Sequence, residues 1–322
     1  MESEASSIAM RSQERPLVSI GMPTYNRADG YLRGALASAL SQSYPNLEIV
    51  VSDNASTDHT EELVKDFSDS PIRYFRQDLT IPPHENFNFC LEQSRGAFFL
   101  MLHDDDLIDP DLVEVCMDAI EGDTSVGLVR TGTRKIDDTG SVVSEHPNGA
   151  EGLSTADFFL AWFEGATAIY MSSTLYNTEA LKEMGGFRSE RNLYLDVVPI
   201  MRLAAQRGRV DIPEVKASFR RHEHNHGSSQ RALDWAIDGR FLLGLMCDLA
   251  PERAEEIRRR GQRHFARKGY RLASNIPSRV ARLRTYWSVY RIFDYGYSPA
   301  RYFLPKTLRR GRRAIARRVK LG

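Results

Sequence analysis

Six consecutive apolar residues, 97–102, run straight into His103-Asp104-Asp105-Asp106. A strand that is apolar at every position is covered on both faces, which is the condition of a strand inside a largely parallel sheet flanked by helices. The preceding residues provide the rest of such a sheet. Residues 17–22 and 47–52 are β-branched, apolar runs of strand length, and 72–75 is a third. Between them, Leu32, Ala35, Leu36, Ala39 and Leu40 recur at one helical face. Asp58 with Glu61 has the spacing of a capping box before Leu63, Val64 and Phe67. Phe87, Cys90 and Leu91 mark another helix face, which stops near Gly96. Asp109, with Pro110 behind it, reads as the cap of a following helix. Strands alternating with helices imply βαβ units, and ligands of such sheets sit outside the carboxyl ends of the strands.

Beyond about residue 130 the alternation loosens. Residues 135–143 read as a hairpin over Asp137-Asp138-Thr139-Gly140. A helix is expected over 154–163, a strand over 169–176, a break at Gly185-Gly186, a helix over 195–206 and a strand over 215–221. From Arg231 the chain reads as helical, increasingly basic and aromatic.

Charge sharpens this division. The chain has 322 residues and a formal net charge of zero, which taken alone argues against strongly charged partners. Residues 1–250 nevertheless hold 22 basic and 39 acidic side chains, a balance of −17, and residues 251–322 hold 21 basic and 4 acidic, a balance of +17. The expected organisation is a polar, disordered lead-in at 1–15, a catalytic α/β domain at 16–230 and a basic helical extension at 231–322. The lead-in has no apolar core of the kind a signal peptide or anchor needs. No apolar run approaches the roughly 20 residues that cross a bilayer. Cys90, Cys116 and Cys247 lack metal spacing and read as small buried hydrophobes in a reducing cytoplasm.

Three strand tips carry the polar residues: Pro23-Thr24-Tyr25-Asn26, Asp53-Asn54-Ala55-Ser56-Thr57-Asp58 and His103-Asp104-Asp105-Asp106. Three adjacent carboxylates at the end of a buried strand repel one another, and a divalent cation removes that penalty. Hard oxygen ligands suit Mg²⁺ or Mn²⁺. A solvated loop is the plainer reading of a bare Asp triplet, and the two polar tips beside it favour the cation.

These residues carry a family resemblance. Val18-Ser19-Ile20-Gly21-Met22-Pro23-Thr24-Tyr25-Asn26-Arg27, Ser38-Ala39-Leu40-Ser41-Gln42-Ser43-Tyr44-Pro45, and Glu48-Ile49-Val50-Val51-Ser52-Asp53-Asn54-Ala55-Ser56-Thr57-Asp58 come first. Asn86-Phe87-Asn88 and the run from Gly96 through the Asp triplet to Pro110 follow. In this order and spacing the chain resembles a family 2 glycosyltransferase of the GT-A fold, of bacterial surface-polysaccharide type. A weaker second set comprises Gly185-Gly186-Phe187, Asp196, and Phe219-Arg220-Arg221-His222 with Asn225.

The resemblance implies a nucleotide half at about 16–130 and an acceptor half at about 131–230. It implies a Mn²⁺ or Mg²⁺ site on Asp105, with Asp106 in support and His222 on the metal or the diphosphate, and Asp104 near the ribose or metal. The common family pattern has Asp where this chain has His103. A nucleotide-sugar pocket, most naturally for a UDP-sugar, falls on Pro23, Thr24, Tyr25, Asp53 and Asn88. The alternative for Asp53 is to start its loop with a local backbone bond, and for Asn88 to cap or face the core. Asp196 matches the catalytic base, or else caps the helix behind it. Many members carry Glu where this chain has Leu195, which keeps a catalytically inactive, sugar-nucleotide-binding scaffold open as an alternative. His224 and His226 read as loop residues. The implied acceptor is a hydroxyl of a glycan or lipid-linked glycan. For the basic extension, the expected counter-surface is an anionic membrane or the protein's own acidic domain, and not nucleic acid. A cytoplasmic protein, peripheral at the inner face of the plasma membrane, is the corresponding location.

Overall fold

The computed structural model describes residues 15–67, 71–221 and 232–303. They fall into two compact units, divided between residues 228 and 229. The first is built on one mixed sheet of nine strands. Strands β1 (Val18–Thr24), β2 (Leu47–Asp53), β3 (Ile72–Arg76) and β4 (Phe98–Met101) are parallel in the order β3-β2-β1-β4. Helices α1 (Leu32–Leu40), α2 (Thr60–Lys65) and α3 (Pro83–Gln93) are the crossovers between them. β4 is fully buried along its length, as its all-apolar sequence requires. Register sets the site: Thr24 lies opposite Asp53 and Gly21 opposite Met101, so the three polar tips leave the sheet along one edge.

Beyond β4 lie β5 (Leu107–Ile108), α4 (Leu112–Ala119), β6 (Leu128–Ile136), β7 (Val142–His146), α5 (Thr155–Glu164), β8 (Thr174–Asn177), α6 (Thr178–Glu183), α7 (Val197–Gln206) and β9 (Arg209–Arg220). β8 pairs antiparallel with both β4 and β6, and β6 runs parallel to β9. β9 closes the sheet by pairing antiparallel with the two-residue β5. β6 and β7 form the expected hairpin.

Several local expectations change. Asp109 caps nothing: its two oxygens take the fork of Arg134 at 2.7 and 2.8 Å, and the helix starts later, at Leu112. Two charge-assisted bonds outweigh one cap bond. No capping box forms at Asp58, which accepts instead from Thr60 and from the Ala28 amide, while Glu61 pairs with Lys65. Residues 169–176 form a 3₁₀ turn (Met171–Ser173) and then the shorter β8. Ser154 does cap α5, accepting from the Asp157 amide.

A buried polar knot locks the opposite end of the sheet. Glu48 on β2 accepts from Ser19 Oγ on β1 at 2.7 Å, from the Arg95 amide at 2.6 Å and from Arg73 on β3 at 2.9 Å. Gly96 lets the chain pass here, since a Cβ would stand 2.7 Å from the Leu17 carbonyl and the Ser19 amide.

The second unit contains α8 (Ala232–Leu249), α9 (Ala254–Ala273), α10 (Arg279–Ile292) and α11 (Pro299–Phe303). Gly239 on α8 admits the Phe265 ring of α9, and Phe265 stacks on Phe293 at 6.1 Å. Tyr270 collects Tyr286, Tyr297 and Tyr302 around it and donates to the Tyr297 carbonyl at 2.7 Å. Cys90, Cys116 and Cys247 are all buried and free. Among the described residues no helix is long and apolar enough to cross a membrane.

Burial alone would raise the Glu48 pKa, but its donors hold it below the ordinary carboxyl value of 4.5. A carboxylate depressed on folding adds stability that is present above its unfolded pKa and lost as pH falls through the folded one. Glu48→Gln is therefore expected to cost about 2 kcal/mol at neutral pH. It is also expected to flatten the loss of stability below pH 4.5, as read by urea unfolding from pH 7 to pH 3.

Candidate active site

The first two strand tips are laced together before any ligand is considered. Asn26 and Ala55 both take positive φ, 53° and 61°. The Asn26 amide donates to Ser56 Oγ, and Asn26 Oδ1 accepts from the Thr57 amide. Asp53 is buried, with one oxygen accepting from the Ser56 amide and the other from the Tyr74 hydroxyl at 2.6 Å. The local backbone bond expected as the alternative for Asp53 is thus present. Thr24 and Pro23 are buried in β1, while Tyr25 stands 46% exposed at the mouth.

Asn88 is a turn and a half into α3 and does not face these tips. Its Oδ1 accepts from the Phe187 amide at 2.8 Å, and its Nδ2 donates to the carbonyls of Phe187 and His84. The amide holds the Gly185-Gly186-Phe187 turn. Gly186 has φ +72° and would press a Cβ into Asn88, so the break read from the two glycines is a docking point. The core-facing role is the one the contacts describe.

The third tip is electrostatically crowded. His103, Asp105 and Asp106 each offer a ligand atom within 4.8 Å of the others. Asp106 is buried, and its Oδ1 accepts from the Arg220 amide at 2.9 Å. Burial, with the charge of Asp105 added, raises the Asp106 pKa. Burial and Asp105 push Asp104 up to about 6, against the pull of Thr24, Arg27 and His103. Asp104 points toward Arg27, 3.8 Å away. Burial opposes a charge on His103, yet Asp106, with Asp105 and Asp104 behind it, pushes its pKa up to about 9. His103 Nε2 is buried and has no hydrogen-bond partner among the described residues. Two carboxylates and an imidazole whose Nε2 has no partner among the described residues fit a divalent cation, and the imidazole suits Mn²⁺ better than Mg²⁺. His103 joins the candidate cluster without having been singled out by the sequence. It entered only as a departure from Asp, although its place beside the triplet was visible.

Arg220 holds this loop from the far strand. Its Nε donates to the Asp105 carbonyl at 2.9 Å and its Nη1 to the Asp137 carbonyl at 2.8 Å. Its guanidinium lies over the Tyr31 ring at 4.3 Å, and the Tyr31 hydroxyl reaches Asp138. The acidic loop, the hairpin tip and the end of β9 are thereby one cluster.

Asp196 ends the loop before α7 and caps it, accepting from the Val197 amide at 3.0 Å. The capping alternative is therefore realised in the geometry. Tyr170 feels the charges of both Asp196 and the acidic loop. Its ring stacks on Phe219 at 4.6 Å, and burial followed by the charges of Asp196 and Asp106 pushes its phenol up to about 12. Nothing in the spacing marked Tyr170, since only the packing of the turn before β8 against β9 brings it here. His222 lies outside the described residues.

Comparisons with known proteins agree with this architecture. The model of the family "Glycosyl transferase family 2" matches residues 19–185. The chain is 33% identical over 134 residues to the chondroitin synthase of Escherichia coli, covering 41% of this chain and 19% of that protein. It is 32% identical over 191 residues to the GalNAc(5)-diNAcBac-PP-undecaprenol beta-1,3-glucosyltransferase of Campylobacter jejuni, covering 56% of this chain and 60% of that protein. The chain spans less than a fifth of the length of the first curated relatives it matches. Among solved structures, S. aureus TarS 1–349 in complex with UDP-GlcNAc superposes with TM-score 0.58 at 17% identity, over 91% of this chain and 92% of that one. The mannosyltransferase PcManGT of Pyrobaculum calidifontis, in complex with GDP-Man and Mn²⁺, gives 0.55 at 18% identity, over 89% and 85%. At such identities the likeness is one of fold, the GT-A fold. With the family model matching more than half of the chain, over a span that includes all three strand tips, the protein belongs to glycosyl transferase family 2.

Proposed function

We propose that this chain transfers a sugar from a nucleotide sugar, most naturally a UDP-sugar, to a hydroxyl of a glycan or lipid-linked glycan in cell-surface polysaccharide synthesis, with inversion at the anomeric carbon. The observation that carries the proposal is the convergence of His103, Asp105 and Asp106 at one sheet edge, with Tyr170 feeling the charges of both Asp196 and Asp106. The relatives support it: one is by its name a glucosyltransferase acting on an undecaprenol-linked glycan, and two neighbours in fold hold UDP-GlcNAc and GDP-Man.

In this reading Asp105, Asp106 and His103 would hold Mn²⁺ or Mg²⁺; His222, which the resemblance adds as a ligand of the metal or the diphosphate, lies outside the described residues. Held there, a divalent cation would supply positive charge to offset that of the departing diphosphate. Pro23, Thr24, Tyr25 and Asp53 line the nucleoside side, and Asp104 faces the ribose. Asp196 takes the proton of the acceptor hydroxyl as its oxygen bonds to the anomeric carbon and the bond from that carbon to the diphosphate breaks. A single displacement of this kind inverts the configuration. The chain positions the two reactants in line, and the buried walls around Asp106 and Tyr170 keep water out. The basic C-terminal region would place the enzyme at an anionic membrane surface, where a lipid-linked acceptor resides.

Two measurements separate this reading from an inactive scaffold. With pKa about 9, His103 carries a proton at pH 8 in the metal-free protein, and a cation that takes its nitrogen must expel that proton. Calorimetry of Mn²⁺ binding in buffers of different ionisation enthalpy should find about one proton released per cation at pH 8, with affinity weakening as pH falls. His103→Gln should remove the release, and Asp105→Ala should weaken Mn²⁺-dependent UDP binding about tenfold or more. An unchanged proton count in His103→Gln would remove His103 from the site. For the base, Asp196→Asn is expected to keep UDP-sugar affinity while lowering kcat by about 10²–10⁴. Full transfer activity in that variant would assign the base elsewhere, and a parent protein that turns over no UDP-sugar would favour the scaffold.

A further inference from the structure

Helix α10 has two apolar faces, and only one is used inside its unit. Tyr286 and Val289 are buried against α9, with Tyr286 packed on Tyr270 and Val289 seated on Gly269. The opposite face carries Val280, Leu283 and Trp287, which at i, i+3 and i+7 lie in one stripe. They are 60%, 65% and 56% exposed. Trp287 is continued by Tyr290 and by Tyr295, itself 53% exposed, in a cluster of ring contacts of 5.0–6.0 Å. Arg284 and Arg291 share the stripe's angular sector, and Arg279 flanks it.

The charge around the stripe is of one sign. Residues 257–293 contain eleven Arg and Lys and no Asp or Glu. Asp294, the nearest carboxylate in sequence, pairs with Arg240 at 2.9 Å. An exposed Trp–Leu–Val stripe with aromatic neighbours and an all-basic border has the composition of an interfacial helix face. Trp and Tyr favour the headgroup level, and arginines favour the phosphates beside it.

We propose that the outward face of α10, centred on Leu283 and Trp287, docks on an anionic lipid surface. The proposal rests on the membrane reading of the C-terminal region given above, but assigns the contact to α10 and not to residues 304–322. It is independent of the transfer chemistry.

The test uses the full chain and vesicles of equal parts phosphatidylglycerol and phosphatidylcholine, against phosphatidylcholine alone. The parent should co-sediment with the anionic vesicles at low salt and shift Trp emission to the blue. Both positions are solvent-exposed, so the double variant Leu283→Ser with Trp287→Ser should keep the parent's melting midpoint. That variant should lose about tenfold or more in partitioning. Deleting residues 304–322 should lower binding by less, and Trp287→Phe should keep sedimentation while losing most of the blue shift. If the deletion abolishes sedimentation while the double variant binds like the parent, the tail reading stands and α10 is overturned. If the parent never sediments, both fall. Equal binding to neutral vesicles, or a lipid-free dimer of the parent that the double variant dissolves, would also overturn the proposal.

Discussion

The end of β9 holds the acidic loop in place, and the candidate site depends on that attachment. The Arg220 amide fixes the Asp106 carboxylate, its Nε fixes the Asp105 carbonyl, and its side chain ties both to the hairpin tip and to Tyr31. Carboxylates crowded at the end of β4 would splay apart by repulsion if the loop were free. The antiparallel pairing of β9 with β5 supplies a rigid backbone against which they are held.

Electrostatics at the site follow from that attachment. Asp104 and Asp106 are raised by burial, with the charge of Asp105 added, and His103 is raised against burial by Asp106 and its neighbouring carboxylates. The loop binds protons more tightly than free side chains would, and a divalent cation competes for the same atoms. The opposite end of the sheet shows the contrasting case. There Glu48 is surrounded by donors, and its carboxyl is lowered. One sheet thus carries a carboxylate satisfied by the protein at one end and carboxylates left for a ligand at the other.

Legibility in the sequence followed the range of the interactions. The β1–β4 half was readable because apolar period and strand length are local signals, and the all-apolar run before His103 located the buried central strand. Asp109 and Asp58 were misread as caps for the same reason. Local spacing suggested a cap, while Arg134, 25 residues away, and Ala28, 30 residues away, supplied the actual partners. Tyr170 carried no signal at all, since its position depends on β8 and β9 meeting across the sheet. Asn88 matched a motif, yet its partner is the turn 99 residues on. Residue type was legible at these positions, and the partner was not.

The placement of β8 has a consequence for synthesis. β4 is the innermost strand of the parallel half, yet the strand that covers its far side begins more than seventy residues later, at Thr174. At translation rates of roughly 5–20 residues per second, the four N-terminal strands can assemble some 4–15 s before that cover emerges. During this interval an apolar strand presents unpaired amides and carbonyls, a template for pairing with another chain. The nascent protein is thus most exposed to aggregation midway through its own synthesis, and a fragment ending before Thr174 would keep that open edge permanently.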